Sequence, residues 1–181
     1  MNEWTDKNFG VVIAYLLPGF VALWGVSYFS PTVASWISVS QQGAPTVAGV
    51  CYVTLASLAA GLTVSALRWA TIDRLHHATG LVAPAWSFGN LDTKLQGFLL
   101  LVESHYRYYQ FYANMFVAAA FTAITCLVRN GGAATVVTWP GVGFVALELV
   151  LFAGSRDTLR KYYARTHELL NSIDLQKGPL L

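Results

Sequence analysis

The chain has 181 residues and a net charge of +2, with 55 % hydrophobic and only 11 % charged residues, and its mean hydropathy is +0.50. Soluble domains carry roughly 25 % charged residues, so the composition excludes an ordinary water-soluble domain. The length suits one domain, residues 1–181, and so small a net charge gives no ground for a nucleic-acid partner.

The charges are segregated. After Lys7 the next charged residue or histidine is Arg68, and further uncharged runs cover 108–128 and 130–155, the last broken only by Glu148. A bilayer-spanning helix needs about 20 apolar residues, and a core helix of a soluble protein needs no such lengths. Dividing the runs at turn signals predicts an all-α polytopic membrane protein with four transmembrane helices, at about 9–29, 47–67, 111–128 and 135–154.

The apolar stretch of the first span is longer than the 7–15 residues or so of a signal-peptide core, and Glu3 and Asp6 outweigh Lys7 in its flank. It is therefore expected to remain as a span. Pro18 falls near its middle and should kink it, because the ring removes a backbone donor and crowds the preceding turn. A loop is predicted over 30–46, where Pro31, Gly43 and Pro45 fall. In the second span Ser57, Gly61 and Ser65 recur every fourth residue. Such a stripe lets a neighbouring helix approach closely, which lipid alone does not drive.

The second helix is predicted to continue through His77 and to end at Gly80 and Pro84. From Leu91 to Val128 nothing need break a single long helix, and at helical steps Asp92, Gln96, Glu103, Arg107, Gln110 and Asn114 form one polar stripe. Glu103 and Arg107 stand in the favourable order for an ion pair. After a tight turn at 129–132, "RNGG", the fourth span runs to Gly154 and continues as an amphipathic helix whose apolar face holds Leu159, Tyr162 or Tyr163, Thr166, Leu169 or Leu170, and Ile173. Helices three and four thus extend into a cytoplasmic part built from about 68–110 and 155–175.

Orientation follows from the basic residues. Lys7, Arg68, Arg74, Lys94, Arg107, Arg156, Arg160, Lys161, Arg165 and Lys177 fall on one side and Arg129 alone on the other. The rule that basic residues stay inside places both termini in the cytoplasm and the protein in the inner (plasma) membrane. Arg156, Arg160, Lys161 and Arg165 then set topology and meet lipid headgroups.

Glu148 lies inside the fourth span, where an acid costs roughly 2.5–3.5 kcal/mol and must face protein or water. It reads either as an ion, proton or pore-lining site or as a hydrogen-bonded tie between helices, with Ser65, Thr63 and Asn114 as partners at similar depth. The polar stripe reads either as a vestibule lining or as a helix's wet face. Asp73, His76, His77, Glu103 and His105 could meet at the inner surface; His76, His77 and His105 are the nearest approach to a metal set, yet they lack ligand spacing, and no metal or cofactor is predicted. Cys51 and Cys126 share a depth that would allow a disulfide, although packing as small apolar residues suits them as well.

There is no P-loop, GxSxG or HExxH motif. The expectation is a non-enzymatic, homo-oligomeric membrane protein, such as a bacterial effector or sensor, that forms or gates a pore or ion channel under a cytoplasmic protein or small-molecule signal. The alternatives are a membrane anchor or scaffold that docks a soluble partner, and a small enzyme acting on lipid.

Overall fold

The computed structural model describes residues 10, 12–38, 47–129 and 139–171. Every regular element among them is helical. Helix α1 (Val12–Ser27) opens with a π turn, Val12–Leu16. Helix α2 is Pro31–Ile37, α3 is Val47–Ala78, α4 is Leu91–Arg129, and α5 is Trp139–Asn171. Two of these, α3 and α4, are long and apolar enough to cross a membrane; α1 is apolar but shorter. The fourth predicted span begins outside the described residues, at 135–138, and its remainder forms the first half of α5.

Pro18 organises α1. Lacking an N–H, it cannot give the Ala14 carbonyl its α-helical bond, and the π turn ends two residues earlier, at Leu16. The freed carbonyl accepts the side-chain amide of Asn114 on α4 at 2.7 Å, and Ala14 and Asn114 are both fully buried. The seam continues along both helices. Gln110 donates to the Tyr15 hydroxyl at 3.0 Å, Thr122 to the Val21 carbonyl at 2.7 Å, and Arg129 to the Tyr28 carbonyl at 2.6 Å. From Ala14–Asn114 through Val21–Thr122 to Tyr28–Arg129 the residue numbers rise together, so α1 and α4 run parallel.

On its other side α1 meets α3 with backbone against backbone. A Cβ on Gly61 would lie 2.0 Å from the Tyr15 carbonyl oxygen, and one on Gly19 would lie 1.7 Å from that of Ser57. Here the numbers fall as they rise on α1, so the two helices are antiparallel. The small-residue stripe therefore serves a neighbour within the chain: Ser57 and Gly61 are buried in it, and Ser65 is half-buried at its end.

Helix α5 packs principally along α4, also antiparallel. Its register is fixed by Leu169 against Gly97, Tyr162 against Tyr106, Phe152 against Phe116, and Gly154 against Tyr112. As predicted, one face of the amphipathic half is buried, through Leu159, Tyr162, Thr166 and Leu170; Ile173 lies outside the described residues. The connector 79–87 is strapped to this half. Asn171 accepts the Ser87 amide at 3.1 Å and donates to the Ala85 carbonyl at 3.1 Å, while Arg156 donates to the Thr79 carbonyl at 2.9 Å. Gly80 turns the chain out of α3 with φ at +91°, a left-handed conformation that glycine adopts without a Cβ penalty.

Two expectations are corrected. Part of the predicted loop 30–46 is helix: Ser30 caps α2 by accepting the Val33 amide at 3.4 Å, with Pro31 in the first turn where no donor is needed. The Glu103–Arg107 ion pair is absent among the described residues, and Arg107 donates instead to Gln110 at 3.1 Å. A π turn, Val102–Tyr106, inserts a residue between the two and ends the four-residue stacking that such a pair requires.

Candidate functional site

A third π turn, Trp69–Asp73, sits near the end of α3. Residues five apart are about 140° apart on an α-helix, but a π turn bonds i to i+5 and stacks them. Arg68 and Asp73 therefore meet, at 3.5 Å. Arg68 is 5 % exposed, its guanidinium carbon lies 5.1 Å from the centre of the Tyr109 ring, and its Nε and Nη1 are without a hydrogen bond. Tyr109 in turn donates its hydroxyl to Asp73. A buried charge needs both its counterion and its hydrogen bonds, and this triad supplies the counterion.

One turn on, His76 is fully buried and its Nε2 lies 3.0 Å from Ser155 Oγ on α5. The single Ser155 hydroxyl hydrogen goes to the Phe152 carbonyl at 2.8 Å, so Ser155 accepts from His76 and the ring carries its proton on Nε2. Its Nδ1 has no partner. Burial, and then the nearby Arg156, hold His76 below the usual histidine range and keep it neutral. This is not a nucleophile with its base. Ser155 spends its hydrogen on the backbone, Asp73 is engaged by Tyr109 and Arg68 instead of orienting His76, and Ser155 is itself fully buried.

The predicted inner-surface group does not assemble. His77 turns to Tyr163 at 3.4 Å and His105 to its neighbour Ser104 at 2.7 Å. The charges around His105 belong to Arg165, Lys161 and Asp157, on a different side of α5 from Ser155. Among the described residues no three His, Cys, Asp or Glu side chains could hold a metal. Cys51 and Cys126 form no disulfide. The polar stripe divides: Asp92, Gln96 and Glu103 are exposed, Arg107 is half-buried, and Gln110 and Asn114 are buried against α1. Of the basic tail residues, Arg156 holds the connector, Lys161 pairs with Asp157 at 2.6 Å, and Arg160 and Arg165 are exposed.

Glu148 stands apart from all of these. Both carboxylate oxygens are out of solvent and without a hydrogen bond. The expected partners are engaged or absent: Asn114 bonds Ala14, Thr63 donates to the Ala59 carbonyl at 3.0 Å, and Ser65 does not reach the acid. Continuing the α4–α5 register past Phe116–Phe152 places Ala119 and Ala120 opposite Glu148. Further along α5, toward its C-terminus, come Leu151, 5 % exposed, and Phe152, whose ring lies 5.7 Å from that of Phe116 and 5.2 Å from His76.

No family model matches the chain, and neither a curated protein nor a solved structure shows significant similarity to it.

Proposed function

We propose that this chain crosses the inner membrane four times with both ends in the cytoplasm, self-assembles, and forms or gates a pathway across the bilayer. The observation that carries the reading is Glu148: an acid in the apolar first half of α5, its carboxylate shielded from solvent, with no donor among the described residues. A group that costs roughly 2.5–3.5 kcal/mol at such depth and ties no helices together is a site for something that passes.

Three further observations support the membrane part. Only 17 % of the most apolar stretch of α3 and 28 % of that of α4 is buried, whereas the core helix of a soluble protein hides its apolar side chains. Helices α1, α3, α4 and α5 alternate in direction, as successive crossings must. Among the described residues the basic side chains other than Arg129 fall toward the end of the bundle where α3 ends and α4 begins. For assembly, Leu95, Leu99 and Leu100 are exposed on the part of α4 that extends beyond the third span, where no lipid covers them. A second copy is the occupant favoured here. A soluble partner on the same leucines is the second reading, and it would make the protein an anchor.

The test is purification in mild detergent followed by ion flux from proteoliposomes. An oligomer that passes ions, with conductance altered by Glu148→Gln, supports the reading. A monomer that passes no ion under any stimulus counts against it, and co-purification of a soluble protein supports the anchor.

A further inference from the structure

We propose that the species moved is the proton, that Glu148 is its binding site within the bilayer, and that the paired rings of Phe116 and Phe152 close the route from Glu148 to the His76–Ser155 pair on the cytoplasmic side. This rests on the pathway reading above and gives it a substrate and a gate.

The substrate follows from what surrounds the acid. Metal cations need several oxygen ligands, about 6–8 for calcium. No side chain bonds to Glu148, and no three metal-ligating side chains cluster among the described residues. A lone carboxylate with no other oxygen bonded to it lacks the ligands to hold such an ion. A proton needs one oxygen, and its uptake removes the charge that the surroundings penalise.

The route follows from the register. Ser155 lies seven residues after Glu148, on the same face of α5 and about 10.5 Å further inward. Between them on that face lie Leu151 and Phe152, and Phe152 touches both Phe116 and His76. While the rings are together α5 places no polar side chain on that face between Glu148 and Ser155, and a dewetted apolar constriction of this kind blocks conduction. Parting them admits water between the carboxyl and the imidazole. Glu148 then gives up its proton and is left as carboxylate, and His76 takes the proton on the free lone pair of Nδ1. The imidazolium so formed keeps its Nε2 hydrogen on Ser155 and returns to neutral when water takes the Nδ1 proton on the cytoplasmic side of the rings.

The titratable or charged groups facing His76 are Asp73, His77 and Arg156, with Tyr109 beside its ring. Facing the route from α4 is Tyr112, and between Tyr112 and Cys126 that helix carries no titratable residue.

The experiment uses full-length protein in liposomes, with an internal pH dye for protons, a potassium-gradient assay and a trapped fluorescent solute. Phe152→Ala is expected to raise proton influx about tenfold, equivalent to about 1.4 kcal/mol off the barrier, with no gain in potassium or solute leak. Adding Glu148→Gln is expected to return it to the wild-type level. If the leak survives Glu148→Gln, or potassium passes with the proton, a pathway exists but the proton inference is overturned. If nothing passes in any variant, both readings fail. Independently of whether Phe152→Ala folds, dicyclohexylcarbodiimide, which adds to a protonated carboxyl in an apolar site, is expected to label Glu148 in the wild-type protein. Labelling elsewhere and not at Glu148 would overturn the assignment.

Discussion

The side-chain amide of Asn114 donates to the carbonyl of Ala14 at 2.7 Å, and that carbonyl lies four residues before Pro18. A helix that lacks one backbone donor thus receives it from its neighbour, which fixes the depth of α1 against α4. Asn114→Ala should cost about 1–3 kcal/mol, because it leaves a buried carbonyl unpaired. Pro18→Ala restores an N–H to α1 and should lower that cost, giving a measurable coupling between two residues on different helices. A double-mutant cycle on unfolding in mild detergent reads it.

Gly61 is predicted to tolerate no side chain. In Gly61→Ala the new Cβ would fall 2.0 Å from the Tyr15 carbonyl oxygen, and neither backbone can give way without separating α1 from α3. The expected loss is at least about 1–3 kcal/mol, seen as a lower midpoint and poorer recovery of monodisperse protein. Gly143→Ala is the control, since nothing lies within 4 Å of its Cβ position, and that variant should be neutral or slightly stabilised.

His76 makes stability depend on pH. Burial and Arg156 hold its folded-state pKa below the usual value. The unfolded chain then binds the proton more readily, so stability is full above about pH 6.5 and declines as the pH falls through that value. Unfolding midpoints measured from about pH 8 down to about pH 5 should show this slope. His76→Gln, which has no proton to gain, should flatten it.

Asn171 straps the 79–87 connector to the end of α5 through Ser87 and Ala85. These bonds are exposed, so Asn171→Ala should cost only about 0.5–1.5 kcal/mol overall. Its local effect should be larger, with faster amide exchange and protease cutting confined to the connector, and no change in the long helices.

Much of this organisation was legible in the residues. Uncharged runs marked the long helices, the Ser57/Gly61 stripe marked a close approach, and the apolar spacing after Gly154 gave the buried face of α5. What escaped depends on departures from the α period. Arg68 entered only the count of basic residues that gives orientation, because five residues to Asp73 is the wrong spacing for a pair on a regular helix; only the π turn joins them. A π turn leaves no strong local composition, so neither this ion pair nor the loss of the Glu103–Arg107 pair could be foreseen. Helix α2 was missed although Ser30-Pro31 is a capping sequence, since seven residues between loop signals carry too little periodicity. Gln110 and Asn114 read as a possible vestibule lining, and the reason they turn to α1 lay in a distant proline.

The four-crossing topology is tested most directly by cysteine labelling on intact cells. With Cys51 and Cys126 replaced by alanine, single cysteines at Arg129 and Arg160 are challenged with a membrane-impermeant maleimide. The cysteine at 129 should react from outside, and the one at 160 only after the cells are opened. Equal reaction at both positions, or release of the protein from membranes by alkaline carbonate, would contradict the topology and with it the placing of Glu148 inside a bilayer.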